Sequence, residues 1–239
     1  MNLILFTAAE LDRPLPRSDR RAVHLLEVLR RSAGDTFDAG IIDGPIGQAT
    51  LETVAENSIT LSFTPRTDAA PPEPITLLIG LPRPQTARDI LRDATTLGVA
   101  ALHFVVTERG ELGYGRSTLW SSGEWRRHVV AGAEQAFNPR LPAVTWGQSL
   151  TEAIAGLAPG PRLALDNYES PAPLSQCRVA PGQTAITLAI GGERGWTAAE
   201  RTLLRAQGFA FHHLGSRVLR TETACLAALT LVRARLGLI

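Results

Sequence analysis

The stretch L-A-I-G-G-E-R-G-W-T-A-A-E, from Leu188 to Glu200, joins an apolar run to a glycine-rich turn and a helix start. Thr184–Ile190 is apolar and rich in branched side chains, which is typical of a strand buried on both faces. Thr197 and Glu200 have the spacing of a capping box, so a helix is predicted to begin at Thr197. The loop between strand and helix contains three glycines, Gly191, Gly192 and Gly195. Because it has little side-chain bulk, a ligand can approach its main chain closely.

Length and composition indicate an ordinary globular protein without a membrane span. The chain has 239 residues, of which 44% are hydrophobic and 20% charged, and it is long enough for one large domain or two modest ones. No apolar run approaches the roughly 18 residues that a membrane helix needs. The first residues lack the basic lead and apolar core of a secretory signal, so a cytoplasmic location is predicted.

The basic residues are all arginine, since the sequence contains no lysine. A phosphate-binding P-loop requires a lysine and is therefore excluded. Arginine suits nucleic acid because its guanidinium binds phosphate in a bidentate manner and stacks on bases, although codon bias also explains the missing lysine. The five histidines show no metal-ligand spacing, and Cys177 and Cys225 fit reduced structural cysteines better than a disulfide, so no metal is predicted.

A proline-rich segment, Pro65–Pro74, predicts a linker between two domains. Residues 1–68 before it contain short strand patterns and one helix pattern, which predict a small β-rich domain. The predicted elements of this domain are strands at Thr36–Asp43, Gly47–Val54 and Ser58–Thr64, and a helix at Asp19–Arg31.

Residues 75–239 alternate between strand and helix patterns, which predicts an α/β domain with a largely parallel sheet. The predicted strands are Ile75–Ile79, Ala101–Val106, Ala143–Trp146, Leu163–Leu165, Thr184–Ile190 and Phe209–His213. The predicted helices are Thr86–Leu97, Gly123–Ala136, one beginning at Ser149, one beginning at Thr197, and Thr221–Leu236. The last helix is apolar on nearly every side, so we expect it to be buried all round, either in the core of one subunit or partly against a second copy.

Three loops follow strands of this predicted sheet, at the edge where parallel sheets bind ligands. They are Asp166–Glu169, the glycine loop Gly191–Gly195, and Leu214–Ala224. Taken alone, the glycine loop fits a tight connection with a solvent-facing Glu193–Arg194 pair. Together with the polar run that follows Gly215, it predicts one shared pocket.

A group of arginines surrounds the predicted N-terminal helix. They are Arg17, Arg20, Arg21, Arg30 and Arg31. The group is either a surface that contacts RNA phosphates or an ordinary solvated helix face, and the sequence leaves both interpretations open.

Two of the ligand loops resemble the motifs of one known family. I-G-G-E-R-G-W-T-A-A-E, residues 190–200, resembles I-G-P-E-G-G-F-S-x-x-E, and L-G-S-R-V-L-R-T-E-T-A, residues 214–224, resembles L-G-x-R-I-L-R-T-E-T-A. These motifs belong to the ribosomal small-subunit (16S) RNA uridine-N3 methyltransferases of the SPOUT class. Shorter matches occur at His24–Arg30, Thr107–Arg109 and Ala133–Gln135, and the domain order agrees, so the resemblance covers the whole chain.

The resemblance implies a fold, a cofactor and an assembly. The fold is a PUA-like β-barrel that binds RNA, followed by a SPOUT domain with a parallel sheet and a trefoil knot at its C-terminal end. The cofactor is S-adenosylmethionine, the substrate is ribosomal RNA, and the assembly is a homodimer. The implied cofactor contacts are Leu165, Gly191, Glu193, Gly195, Leu214, Gly215, Leu219, Arg220 and Thr223, with Glu193 and Arg220 shaping the loops.

Methylation at uridine N3 requires that the N3 proton be removed or the resulting anion stabilised. Arg109 is the predicted donor to the base oxygens, Glu134 the candidate base, and Gln135 an orienting group. For each of the three, a salt bridge or helix cap is the structural alternative.

The chain also departs from the family pattern. Asn138 stands where E-Q-x-x-R has its arginine, and Asp93 and Thr96 stand where K-A-T-E-L-G has its lysine and glutamate. In the glycine loop, Gly192 and Arg194 replace a proline and a glycine. Two alternatives therefore remain open, the same fold acting on a different RNA, and an RNA-binding assembly factor whose catalysis has decayed.

Overall fold

The computed structural model describes residues 3–179, 182–183 and 185–239, and these form two compact units. The first contains the chain up to Pro71 together with Ala133–Leu141, and the second contains Pro72–Gly132 and Pro142–Ile239. The connection between β-rich and α/β parts is shorter than the predicted linker Pro65–Pro74, because Pro65–Asp68 are still paired in a strand and Glu73–Pro74 begin the next one.

The first unit is built on a five-stranded sheet in the order β1-β3-β4-β5-β2. Its strands are β1 (Ile4–Phe6), β2 (Leu15–Pro16), β3 (Thr36–Ile41), β4 (Pro45–Val54) and β5 (Ser58–Asp68). β1 runs parallel to β3, and the other pairs are antiparallel. One face is covered by a continuous apolar core that includes Phe6, Leu25, Phe37, Leu51 and Ile59.

The helical part of this unit is shorter than predicted. After α1 (Ala8–Leu11), α2 spans Arg20–Val23 and continues as one wider π-helical turn, His24–Val28. Asp19 caps α2, since its side chain accepts from Arg21 N at 2.8 Å. The predicted end at Arg31 is wrong because Arg30 has φ 52°, a left-handed conformation that cannot continue a right-handed helix.

The second unit contains a seven-stranded parallel sheet in the order β10-β12-β9-β11-β6-β7-β8. Its strands are β6 (Glu73–Gly80), β7 (Val99–Val106), β8 (Ala143–Ser149), β9 (Arg162–Leu165), β10 (Ala172–Pro173), β11 (Ile186–Ile190) and β12 (Ala210–His213). All five residues of the central β11 are buried, as its apolar sequence predicts. Thr184, the predicted start of this strand, lies outside the described residues.

Helices alternate with these strands, so the predicted α/β class is confirmed. They are α3 (Pro84–Thr96), α4 (Thr118–Ser121), α5 (Glu124–Ala136), α6 (Leu150–Ala155), α7 (Ala198–Ala206) and α8 (Thr221–Leu236). Ser149 and Thr197 cap α6 and α7 through complete capping boxes, which places both helix starts where the sequence predicts them. In the described part of the chain, no helix is long and apolar enough to cross a membrane.

The last helix, α8, buries one face only within this single chain. Cys225, Ala228, Leu229 and Val232 are inaccessible to solvent. The opposite side of the helix is half-buried or exposed at Thr223, Leu226, Thr230, Leu231 and Ala234. The prediction that α8 is buried all round inside one subunit is therefore wrong, because a single chain leaves one side of this apolar helix partly exposed.

The capping box of α7 yields a stability prediction. Thr197 Oγ1 accepts from Glu200 N at 3.2 Å, and Glu200 Oε2 accepts from Thr197 N at 2.8 Å. We expect Thr197→Ala to lower the free energy of unfolding by about 1 kcal/mol, as loss of an N-cap does elsewhere. Urea unfolding measures the change. Thr202→Ala in the same helix is the matched control, since that exposed hydroxyl only bonds the preceding turn, and an equal loss there would contradict a capping role.

Candidate functional site

A pocket of ≈450 Å³ lies beyond the carboxyl ends of β9, β11 and β12. Most of its wall comes from the three loops that follow these strands, as expected where parallel strands end at one edge of a sheet, and Arg83 and Thr86 at the start of α3 complete it. Apolar side chains form part of the wall, namely Leu165, Ile190, Leu214, Val218 and Leu219. The remainder consists of glycine main chain, charged groups and neutral residues such as Asn167, Tyr168 and Trp196.

The glycine loop packs backbone against backbone. A Cβ at Gly80, the last residue of β6, would lie 2.5 Å from Gly192 N, and a Cβ at Gly191 would lie 3.0 Å from Gly195 Cα. Neither position tolerates a side chain without movement of the main chain. Gly195 has φ +64°, and among the described residues no atom other than those of its chain neighbours lies within 4 Å of its would-be Cβ. Its missing side chain therefore leaves open space beside the loop.

Two buried contacts hold this loop in place. Trp196, 1% exposed, donates from its indole Nε1 to Leu165 O at 3.1 Å and so ties the loop to the end of β9. Glu200, besides capping α7, accepts from Glu108 N at 2.8 Å. Trp196 is not among the predicted site residues, although a tryptophan directly after a glycine turn is a usable signal because a buried indole needs an acceptor.

The loop after β9 is fixed by a buried carboxylate. Asp166 Oδ1 accepts from the main-chain nitrogens of Tyr168 and Glu169 at 2.8 and 2.7 Å, and Oδ2 accepts from Arg201 Nε at 2.7 Å. The side chains of Asp166 and Arg201 are 2% and 10% exposed. Removing one partner of a buried ion pair is costly, so this pair fixes the loop that carries Asn167 and Tyr168, which line the pocket.

Glu193 and Arg194 differ from the simple solvent-facing pair considered above. Glu193 Oε1 accepts from Arg83 N at 3.0 Å, at the start of α3. Arg194 instead forms an exposed ion pair with Glu111 at 3.3 Å. Each side chain therefore links the glycine loop to a different neighbouring loop.

Most of the predicted cofactor residues line this pocket. The lining members are Leu165, Gly191, Glu193, Gly195, Leu214, Leu219 and Arg220. Gly215 and Thr223 do not line it, although each is next in sequence to a residue that does. Thr223 is exposed in the first turn of α8, and Gly215 has φ +106°, so its glycine serves the turn after β12.

A second, smaller cavity of ≈160 Å³ lies on the glycine loop and shares Arg83 and Gly192–Gly195 with the first. Arg109 lines this cavity, together with Arg83, Thr107, Tyr114 and Arg194. Arg109 Nη1 donates to Arg194 O, and Arg194 Nη1 donates to Arg109 O, both at 3.4 Å. The predicted donor to the substrate base is thus held beside the glycine loop.

Glu134 and Gln135 line neither cavity, and by their contacts both belong to the first unit. The Glu134 carboxylate accepts from Leu5 N at 3.4 Å and faces Arg20 Nη2 at 3.5 Å. Burial raises the pKa of Glu134 above its usual value, against the opposing effect of Arg20. These contacts favour the structural alternative for Glu134, and Gln135 is exposed.

The raised pKa of Glu134 predicts a pH-dependent stability difference. Because the folded-state pKa exceeds the unfolded one, the native carboxylate is disfavoured once pH rises through the folded value. We expect Glu134→Gln to be more stable than wild type near neutral pH and equal to it in acid, measured by urea unfolding. Glu10→Gln is the control with opposite sign, since Arg21 lowers the pKa of Glu10 to about 2. A stability difference for Glu134→Gln that does not change with pH would contradict this assignment.

Among the arginines predicted to contact RNA, Arg21 is already fully engaged. All five of its N–H groups donate to protein, to Asp19, Glu10 and Leu5 O, and its guanidinium lies 4.8 Å from the Phe6 ring centre. Its pKa is raised by the two carboxylates. We therefore assign Arg21 a structural role. Arg17, Arg20, Arg30 and Arg31 are exposed.

Comparison with known proteins places the chain in a family. A model of the RNA methyltransferase domain matches residues 69–233. The chain belongs to this family. A relative from Treponema pallidum (strain Nichols), named ribosomal RNA small subunit methyltransferase E, is 36% identical over 244 residues, which cover 98% of this chain and 91% of the relative.

Solved structures share the fold of this RNA methyltransferase. A ribosomal RNA small subunit methyltransferase E from Neisseria gonorrhoeae bound to S-adenosyl methionine superposes with a TM-score of 0.78, at 24% identity and covering 98% of this chain and 97% of that one. A putative methyltransferase from Legionella pneumophila in complex with the bound cofactor SAM gives 0.80, at 24% identity, covering 93% and 92%. The likeness extends over both units described above.

Proposed function

We propose that this RNA methyltransferase transfers a methyl group from S-adenosylmethionine to N3 of a uridine in small-subunit (16S) ribosomal RNA. The observation that carries the proposal is the glycine-walled pocket at the carboxyl ends of β9, β11 and β12, in a chain of this family. The relative named small subunit methyltransferase E supports the class of substrate. The uridine N3 target rests on the motif resemblance at residues 190–200 and 214–224.

The residues present suit S-adenosylmethionine. At ≈450 Å³ the pocket falls within the roughly 300–1,000 Å³ usual for such ligands. Leu165, Ile190 and Leu219 offer apolar surface for an adenine ring. The open space at Gly195 exposes main-chain groups to the ligand, and Arg217 and Arg220 offer charge to its carboxylate.

The chemistry divides between cofactor and protein. Bound S-adenosylmethionine supplies an electrophilic methyl group on a sulfonium, and its transfer to N3 leaves a neutral thioether. N3 carries a proton that must leave before or during transfer, so the protein has to stabilise the negative charge on the base. A guanidinium at the base oxygens lowers the cost of that charge. We assign this task to Arg109, and the N3 proton passes to solvent, since the contacts of Glu134 with Leu5 and Arg20 favour a structural role for that carboxylate.

The finer features of fold and assembly belong to the same proposal. Residues 1–68 are proposed to form a PUA-like, RNA-binding domain. Residues 75–239 are proposed to form the SPOUT domain with its trefoil knot. A homodimer is supported by the half-covered apolar side of α8, which a second copy would bury. A cytoplasmic location follows from a ribosomal substrate.

Mass mapping of ribosomal RNA tests the reaction. In a strain lacking the gene, we expect one uridine of 16S RNA to lose a methyl group. The purified protein with S-adenosylmethionine should restore that methyl group on small subunits from the strain. A deletion strain with unaltered 16S RNA would exclude the assigned reaction and favour another RNA target.

The departures from the family pattern motivate the alternatives. Asn138 donates from Nδ2 to Ala70 O at 3.1 Å and accepts from Arg140 N at 3.1 Å, so it is occupied by contacts within the first unit. Thr96 donates to Gly132 O at 3.2 Å. The side chains at these two positions make contacts within the protein, so they do not identify the target nucleotide. An assembly factor with decayed catalysis is tested by calorimetry, where absence of S-adenosylmethionine binding would favour it.

A further inference from the structure

Three arginines surround the second cavity. Arg83, Arg109 and Arg194 all line it, all three are exposed, and Tyr114 adds an aromatic wall. Arg83 comes from the start of α3, Arg109 from the loop after β7, and Arg194 from the glycine loop. Separate chain segments thus bring three guanidinium groups to one small concave surface.

The donors of Arg83 are largely unused. Its Nε donates to Thr86 Oγ1 at 3.2 Å, which fixes the guanidinium, and among the described residues neither terminal nitrogen has a protein acceptor. In the same part of the chain, no carboxylate lies within ion-pair distance of Arg83 or Arg109. Arg194 has Glu111, but both partners of that pair are more than half exposed, so the pair is weak and easily exchanged.

The other acidic residue of this cavity, Glu193, forms no ion pair with the guanidinium of Arg83. Glu193 lines the cavity, but its Oε1 is engaged by the main-chain nitrogen of Arg83. A fixed arginine fork with free terminal N–H groups is suited to a planar or tetrahedral oxyanion, which it binds in a bidentate manner. Such an anion would contact the glycine loop, which also lines the cofactor pocket.

We propose that this cavity binds a backbone phosphate of the acceptor RNA next to the nucleotide that is methylated, with Arg83 as its principal ligand. The inference rests on the proposed function, because it assumes an RNA acceptor beside the methyl donor. Arg194 moves from Glu111 to the same phosphate, and Arg109 stays free for the base. The carboxylate of S-adenosylmethionine has similar chemistry, so the experiment must separate the two anions.

Equilibrium binding to unmethylated small ribosomal subunits tests the proposal over a range of salt concentrations. We expect Arg83→Gln to weaken subunit binding roughly 10-fold, with the slope of log K against log salt reduced by about 0.7–0.9, as for one lost phosphate contact. Because Arg83 also lines the cofactor pocket, the affinity for S-adenosylmethionine is measured separately by calorimetry, and it should fall less than the affinity for subunits. Arg83→Lys keeps the charge but not the fork, and should retain the salt slope with an intermediate affinity.

Arg127→Gln is the matched control, since Arg127 is exposed on α5 and lines neither cavity. It should bind subunits as wild type does. Equal weakening by both variants, or a loss of S-adenosylmethionine affinity in Arg83→Gln without a change in subunit binding, would overturn the proposal. Methyl transfer by the wild-type protein is measured on the same subunits. Its absence, with the Arg83 effect intact, would remove the uridine assignment and leave this phosphate site standing.

Discussion

Gly195→Val should abolish binding of S-adenosylmethionine. Gly195 has φ +64°, a conformation that a β-branched residue adopts only at a cost of about 1–3 kcal/mol. The valine side chain would also extend into the open space beside the loop, because in the described part of the chain no residue other than its two neighbours has an atom within 4 Å of the Cβ position. Filling that space removes the main-chain surface that the ligand would contact. We expect the dissociation constant to rise by a factor of roughly 100 or more, equivalent to about 2.7 kcal/mol, in a calorimetric titration.

Gly123→Val separates strain from occupation of the pocket. Gly123 has φ +73° and likewise no neighbour within 4 Å of its would-be Cβ, but it lies before α5 and lines neither cavity. The two variants should therefore lose similar stability in thermal unfolding, while only Gly195→Val loses ligand binding. A folded Gly195→Val protein with wild-type affinity would show that the glycine loop is a simple connection.

The sequence predicts the second unit well because its elements are long and locally encoded. The bounds of α8, Thr221–Leu236, agree with the prediction, and the caps of α6 and α7 lie at the predicted Ser149 and Thr197. In each case, the signal and the structure it specifies lie within one turn of chain. The order of strands in the sheet cannot be predicted in this way, because it depends on pairing between residues far apart in sequence.

Errors in the first unit have a common physical origin. The predicted helix Asp19–Arg31 ends early, as a π turn followed by the left-handed Arg30, and β1 and β2 were not predicted at all. β1 has only three residues and is specified by its pairing with β3, so no periodicity reveals it. Pro65–Asp68, the first residues of the predicted proline-rich linker, extend β5 because they pair with the first residues of β4 across the sheet.

For the site, sequence identifies the loops but not their internal contacts. The pocket at the carboxyl ends of β9, β11 and β12 follows from a parallel sheet and three polar loops. The buried pair of Asp166 and Arg201 and the indole bond of Trp196 to Leu165 O join residues more than 30 positions apart. No spacing rule finds such pairs. Arg21 is engaged by Glu10 and Asp19, which are 11 and 2 positions away, so the number of arginines in a segment does not show how many are available to RNA.

Arg109→Ala should slow methyl transfer without weakening the cofactor complex. Arg109 lines the second cavity but not the cofactor pocket, and we assign its guanidinium to the charge that develops on the uridine base. Loss of one such donor typically lowers kcat by roughly 10²- to 10³-fold. Single-turnover assays on unmethylated small subunits measure the rate, and calorimetry measures S-adenosylmethionine affinity, which should be unchanged. Arg116→Ala is the control and should react as wild type does. Arg116 is exposed, ends the 3₁₀ turn Leu112–Arg116 and lines neither cavity.

The pH dependence of the Arg109→Ala defect distinguishes charge stabilisation from a structural role. If the guanidinium stabilises the ionised base, its removal lowers the rate of methyl transfer most at pH values where the free base is still protonated. The rate defect should therefore shrink as the solution becomes alkaline and the base ionises on its own. Arg109 also donates to Arg194 O at 3.4 Å, so a purely structural residue would instead disturb the glycine loop. In that case, rate and S-adenosylmethionine affinity would fall together at every pH, and Arg109→Lys would restore neither.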